Sequence, residues 1–414
     1  MSKNPAEMDI HNIHRRYENA IRNLEHHSGI CGENKERIME FLGHCSAQDL
    51  SIARRLFYLQ RLTIIAAILG DKRFVDTSRT DVESILSQIG DRLNTTGQPL
   101  TTWTKLGYKI AVRVFWRWMR GCGDDEDPPE TSWIKTKRTK DSKILPEQLL
   151  TKEDVLKILR VAEHPMHKAI VIVGHDLGGR PNEWFTMRIK DVDFDEYSAI
   201  VRVKGKNGSR RVRVVLATAS LRQWLQIHPR RDDSNAPLWV CLEGKHAGEA
   251  LGYDRIRKLL QKLASKAGVK KRVNPYKFRH STITALATEL TEAEMCEVFG
   301  WAQGSRMPRV YVHLSGRDVD KKILKIHGIL KEEQVEKKIL ERRKCARCGT
   351  DNPCEGNFCT VCAAPLTART AFELERHRVT ADETMNLLLQ DEEVQRLLRR
   401  KLAELGLVEK LQSS

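Results

Sequence analysis

The chemically richest stretch of this chain runs from Asn274 to His313. Arg279 and His280 sit side by side in a helical run, Gly300-Trp301 follows a second helical run, and Tyr311 comes ten residues after the tryptophan. Upstream, Arg180 follows a Gly-Gly pair and Lys206 sits beside a turn signal. Cations that hold anionic oxygens, together with a phenol that can act as a nucleophile, are what chemistry at a phosphate ester would need. Each residue has an ordinary alternative. Tyr311 could be a packing aromatic, Arg180 a surface arginine after a helix end, and Tyr276 and Trp301 core groups. Tyr276, Arg279 and Ile283 fall at i, i+3 and i+7, so the first two share a face if the helix already runs through Pro275-Tyr276.

A second set is independent of the first. Cys345, Cys348, Cys359 and Cys362 form two Cys-x-x-Cys units separated by ten residues, with Gly349 and Ala363-Ala364 just past each. Four thiolates so spaced make a closed tetrahedral site, which predicts a structural zinc ion. A segment this polar needs the ion to fold. Cys354 lies inside the loop as a bystander, and the remaining cysteines are scattered, as reduced thiols are.

The elements that must position these groups are mostly helical. Residues 10–120 carry three helical patterns. One opens with a Ser-x-x-Asp start at Ser46 and runs to Gly70, another covers Thr77 to Ile89, and the third spans 100–121. In the third, Leu106, Ile110, Val114 and Trp118 line one face, while Lys105, Lys109, Arg113, Arg117 and Arg120 fall away from it. With the net charge of +16, that basic face suits tracking of phosphates, and Phe115, Trp116 and Trp118 suit a core. Residues 121–146 read as a linker: Gly and Pro breakers, an acidic cluster, then a basic run. Thr151-x-x-Asp154 and Thr291-x-x-Glu294 are capping boxes, the latter opening a short helix that ends at Gly300.

The clearest strand pair is SAIVRV-KGKNGS-RRVRVVL. An Asn207-Gly208 turn would set Lys206 opposite Ser209, Lys204 opposite Arg211 and Arg202 opposite Arg213, with Val201 and Val203 facing Val214 and Val212 on the other side. Like charges set opposite each other are destabilising unless an anion lies over them, which points to phosphate.

The composition, 40% hydrophobic and 30% charged, is that of a soluble globular protein of two or three domains. The polar start MSKNPAEMDIHN lacks a signal-peptide pattern and no apolar run approaches a membrane span, so a cytoplasmic location without a membrane partner is expected.

Arg180, Lys206, Arg279 and Tyr311, in this order, resemble the tyrosine recombinases, the phage (lambda-type) integrase family, over roughly residues 10–330. The family's Gly-Leu-Arg-x-x-Glu turn is here Gly-Gly-Arg180-Pro-Asn-Glu183, and its hairpin Gly-Lys is Gly205-Lys206. Its His-x-x-Arg-His is Tyr276-Lys-Phe-Arg279-His280, its Gly-His/Trp is Gly300-Trp301, and its Tyr-x-His is Tyr311-Val-His313. The sequence departs at Tyr276, where the family most often has a His that helps shuttle a proton. A phenol can still donate a hydrogen bond to a phosphate oxygen.

The resemblance implies a mainly α chain with a small β-sheet (α+β). Such a chain divides into a helical SAM-like core-binding domain (1–120), a linker (121–146) and a catalytic domain (147–330), while the zinc ribbon (340–368) and helical tail (369–414) lie outside the family's common core. The resemblance also implies roles. Tyr311 is the nucleophile that holds a 3′-phosphate, Arg180 and Arg279 stabilise the pentavalent phosphorus, Lys206 is the general acid and Trp301 positions the phosphate. Glu183 and His280 support them from behind, and Tyr276 takes the family's His position. Lys105, Lys109, Arg113, Arg117, Lys204, Arg211 and Arg213 would contact DNA. The implied activity is site-specific cleavage and rejoining of duplex DNA for integration, excision or resolution in a mobile element, by a tetramer on two sites, without a catalytic cofactor. A relaxing, topoisomerase-like activity belongs to the same chemistry. From another class, the alternative is a non-catalytic DNA-binding protein on a recombinase scaffold, with the ribbon or tail docking a protein partner.

Overall fold

The computed structural model describes residues 8–123, 125–136, 146–205, 208–287, 289–312, 323–324, 327 and 340–404, in two compact units. The first comprises residues 1–145 with 250–255. Its helices are α1 (Ile13–Glu25), α2 (Gly32–Ala47), α3 (Ile52–Leu69), α4 (Arg79–Asp91) and α5 (Thr102–Met119). The helix expected to open at Ser46 starts later. Ser46 lies in α2, Asp49 takes a left-handed φ of 57° that turns the chain, and Ser51 caps α3 by accepting from the Arg54 N–H. Ser78 and Asp81 form a capping box on α4.

Six residues of α5 are buried as one stripe, Gly107, Tyr108, Ala111, Val112, Phe115 and Trp116. That stripe is rotated from the expected one, and Leu106, Ile110, Val114 and Trp118 are half-buried beside it. Phe115 and Trp116 are fully buried core, as their apolar run implied, and the Trp116 indole N–H donates to Thr77 Oγ1 at 3.0 Å. The acidic half of the expected linker is not a free tether. Ile134 is 3% exposed in the core of this unit, and Asp127 ion-pairs with both Arg113 and Arg117. Residues 137–145, the basic half, lie outside the described residues.

The second unit comprises residues 146–249 and 256–414. It opens with α6 (Lys152–Val161), set by the Thr151/Asp154 capping box, and the buried α7 (Pro165–Leu177). Then come α8 (Pro181–Phe185) and an antiparallel sheet, β1 (Val192–Phe194), β2 (Ala199–Gly205) and β3 (Gly208–Val214), in that order. The helices α9 (Thr218–Gln226), α10 (Tyr253–Lys266), α11 (Pro275–Leu286), α12 (Glu292–Phe299) and α13 (Met307–Val312) follow. Trp184, Trp224 and Trp239 are buried, with the Trp239 indole donating to the Trp184 carbonyl at 2.7 Å.

The hairpin register differs from the expected one by two residues. Gly205 pairs with Gly208, Lys204 with Ser209, Arg202 with Arg211 and Val201 with Val212. Parity keeps the valines inward. Two of the outer arginines have carboxylate partners: Arg202 ion-pairs with Asp193 of β1, and Arg213 pairs with Asp195 at 2.7 Å. Strand β1, only three residues long, and the residue that follows it supply the acids that the two-strand reading lacked.

At the C-terminal end, β4 (Arg343–Lys344) and β5 (Asp351–Asn352) pair antiparallel, followed by α14 (Ala368–Gln390) and α15 (Glu392–Glu404). Among the described residues, no helix is long and apolar enough to cross a membrane.

Candidate functional site

The site is built around the C-terminal end of α12. Thr291 and Glu294 box its start, and Gly300 ends it in the left-handed region at φ 65°. The last carbonyls of a helix lack intrahelical donors and carry the negative end of its dipole. Three arginines from three elements fill that role. Arg210 of β3 donates from Nε to the Val298 carbonyl at 2.9 Å. Arg279 of α11 donates from Nη2 to Phe299 O and from Nη1 to Gly178 O, both at 3.0 Å. Arg180, at the start of α8, donates from Nη1 to Gly300 O at 3.0 Å. A Cβ on Gly300 would come within 2.6 Å of Arg210 Nη1, so this turn needs glycine for space as well as for φ. Gly178, the left-handed cap of α7, is similarly closed in, since a Cβ there would meet Thr282 and Phe299 within 3.0 Å.

Glu183 ties two of the arginines together. It is 2% exposed and accepts from the Arg180 backbone N–H at 2.7 Å and from Arg180 Nη1 at 2.9 Å. Arg210 adds a bidentate pair at 3.0 and 2.8 Å. Burial pushes the Glu183 carboxyl up, but the Arg210 pair and the Arg180 hydrogen bonds outweigh it and hold it below its ordinary range. Three guanidiniums against one carboxylate leave two positive charges in a sheltered spot. Arg279 is 5% exposed, and burial, then the Arg180 charge, push it down to about 10. It stays a cation at neutral pH, and an anion in the site would relieve that strain.

Tyr311, on α13, is 2% exposed and packs with Ile283, Met295 and Phe299. Its ring lies near-parallel to those of Trp301 (centroids 5.8 Å apart, 22°) and His280 (5.9 Å, 26°). The Trp301 ring also lies 5.4 Å from the Arg279 guanidinium carbon, a cation–π contact that couples the tyrosine wall to the arginines. His280 Nδ1 is 2.8 Å from the Tyr311 hydroxyl. Burial, then Arg279, act on the phenol in opposite directions, and burial prevails, raising it above its ordinary value.

The structure thus brings Arg180, Glu183, Arg279, His280, Trp301 and Tyr311 together. It does not bring in Tyr276: α11 starts at Pro275 as required, yet the Tyr276 ring is 49% exposed, with its centroid 6.5 Å from His280. Lys206 and His313 lie outside the described residues. Lys204 and Arg211 are exposed on the hairpin, and Lys105 and Lys109 are half-exposed on α5. Arg113, Arg117 and Arg213 already have the carboxylate partners described above. Arg210 was missed by sequence reasoning. The signal was the strand period: Arg210 shares a face with Val212 and Val214, and an arginine on the buried face of a strand requires a partner.

The four cysteines converge, with their sulfurs within 4.8 Å of one another. Cys345 and Cys362 Sγ are 3.6 Å apart, and Cys348 and Cys359 Sγ 3.5 Å. A tetrahedron with zinc–sulfur bonds of about 2.3 Å has edges of roughly 3.8 Å, so the set fits that ion. Cys354 is buried outside the cluster, as expected.

Residues 148–317 match the phage integrase family. A tyrosine recombinase XerC of Chromobacterium violaceum is 24% identical over 253 residues, 59% of this chain and 79% of the relative. A tyrosine recombinase XerA of Pyrococcus horikoshii is 31% identical over 150 residues, 36% of this chain and half of the relative's length. In fold, a lambda integrase dimer bound to a COC′ core site superposes with a TM-score of 0.53 at 12% identity, covering 67% of this chain and 76% of that one. Residues 148–317 are therefore similar to the phage integrase family, and the relatives that match this chain are tyrosine recombinases.

Proposed function

We propose that the α12 site cleaves and rejoins duplex DNA through a 3′-phosphotyrosyl bond to Tyr311. The observation that carries this reading is the convergence of Arg180 and Arg279 on the α12 carbonyl end, beside the Trp301–Tyr311 stack. Attack on a phosphodiester adds negative charge to the non-bridging oxygens, and preorganised guanidiniums stabilise that charge without reorganising. Glu183 and Arg210 fix the plane of Arg180, and Trp301 closes one side of the phosphate position. The leaving 5′-oxygen takes its proton from Lys206, the general acid that the motif supplies. The covalent bond stores the energy of the broken one for religation.

Exchange between two duplexes takes four strand cuts, one tyrosine each, so a tetramer on two sites is the working assembly. The basic groups Lys105, Lys109, Lys204 and Arg211 supply sequence-independent phosphate contacts. The four cysteines hold a structural zinc ion, which contributes folding of the ribbon. Direction of exchange, whether integration, excision or resolution, is a property of the DNA site.

Covalent trapping tests the reading. The full chain and its Tyr311→Phe form are incubated with supercoiled plasmid bearing the DNA that flanks its gene, then quenched in detergent. An adduct with tyrosine and none with phenylalanine is expected; equal adduct from both removes Tyr311. Arg279→Ala should lower the adduct-forming rate by about 10²–10³ while keeping most DNA affinity, which rests on many contacts. An unchanged rate takes Arg279 out of the site.

A further inference from the structure

We infer that His280 is the general base that removes the proton from Tyr311, a role that rests on the nucleophile reading above. Nδ1 lies 2.8 Å from the phenol oxygen, within proton-transfer distance, and the near-parallel rings hold that geometry. The phenol needs such a partner. At 2% exposure it has no bulk water to receive its proton, and burial disfavours its anion.

One helix aims both groups. Arg279 and His280 are adjacent on α11, so the turn of the helix sends the guanidinium to the α12 carbonyls and the imidazole to α13. Tyr276, at the position where a proton carrier is expected from the motif, stands behind His280 with half its surface in solvent. The imidazole is in the state a base requires. Burial, then the charges of Lys277 and Arg279, keep it neutral down to about pH 4. A DNA phosphate entering beside Arg279 opposes those two cations, raising the imidazole's proton affinity when it is needed.

The step balances. The Tyr311 proton passes to His280 Nδ1, the phenolate oxygen bonds to phosphorus, and the bond from phosphorus to the 5′-oxygen breaks, that oxygen taking a separate proton. In religation the 5′-hydroxyl attacks and gives its proton back to the group that supplied it, the tyrosyl oxygen leaves, and the imidazolium returns its proton to that oxygen.

The test uses the full chain and a duplex from the DNA flanking its gene, made with an ordinary or a 5′-bridging phosphorothiolate linkage. A thiolate leaves without a proton, so it compensates for a lost general acid and not for a lost base. His280→Asn keeps an acceptor near the place of Nδ1 but cannot take a proton. Its adduct-forming rate should fall about 10²–10⁴-fold on both linkages with DNA affinity unchanged. His280→Gly should regain at least tenfold when imidazole is added, a readout that lost packing would not give. The wild-type rate should decline on acidification, and that limb should vanish in His280→Asn. A His280→Asn rate within threefold of wild type overturns the proposal, as does its recovery on the phosphorothiolate or failure of imidazole to rescue His280→Gly. Absence of any Tyr311 adduct from the unmodified chain removes the nucleophile reading and this one with it.

Discussion

Arg210 shows how much a single unremarked side chain can hold. Its side chain is 13% exposed, and its guanidinium grips both oxygens of Glu183 and reaches the Val298 carbonyl. Arg210→Ala leaves the buried Glu183 carboxylate with Arg180 alone, and breaking a buried pair costs roughly 3 kcal/mol. Urea unfolding should show that loss, and the adduct-forming rate should drop at least tenfold as Arg180 is drawn deeper onto Glu183. A rate equal to wild type would mean that Arg180 is oriented without Arg210. The residue was hard to find because it begins a run, Arg210-Arg211-Val-Arg213, in which every cation reads as surface. Arg180, Arg279 and Tyr311 were legible because their order along the chain carries information that composition does not. His280 was placed as a supporting helix residue, since only the folded chain shows α13 lying against it.

Among the elements, α12 sets the geometry through its last carbonyls rather than its side chains. Gly300→Ala tests that arrangement. A left-handed non-glycine residue costs about 1–3 kcal/mol, and the new methyl would displace Arg210 from 2.6 Å. The variant should melt several degrees lower and cleave more slowly even though no cation has been removed. Melting curves and adduct rates check this, and a wild-type rate would show that the arginines are held elsewhere. The start of this helix was legible, because a capping box is a local signal, as was that of α6. The hairpin register was not. Parity fixed which residues face inward, but the two-residue shift depends on the loop and on β1, whose Asp193 neutralises a cation that seemed to ask for phosphate. The start of α3 moved for a similar reason: two serines compete for the cap, and the left-handed Asp49 decides between them.

At the scale of the whole chain, the ribbon and the catalytic elements belong to one unit. Arg342 donates to the Tyr197 carbonyl at 2.8 Å, and Lys168 of α7 pairs with the buried Glu355 at 3.6 Å. Removing the ion should unfold residues 344–366 and leave Tyr311 adducts forming, because no step of the transfer uses the ion. Far-UV spectra with chelator, run beside the trapping assay, separate the two effects; complete loss of adducts would tie catalysis to the ribbon. The cysteine spacing made the ribbon legible, while its docking onto α7 and the β1–β2 turn was not, since those contacts join residues far apart in sequence. The shelter of Tyr311 also sets the order in which a tyrosine-selective reagent would meet this molecule. Tyr197, 65% exposed, and Tyr276, 49% exposed, should be nitrated by tetranitromethane well before Tyr311 at 2%. If cleavage requires the hydroxyl to emerge onto DNA, Tyr311 labelling should rise when duplex is added, giving a chemical clock for the unsheathing of the nucleophile. Peptide mapping would read that clock, and Tyr311 labelled at the same pace with and without DNA would show that the phenol reacts from where it already lies.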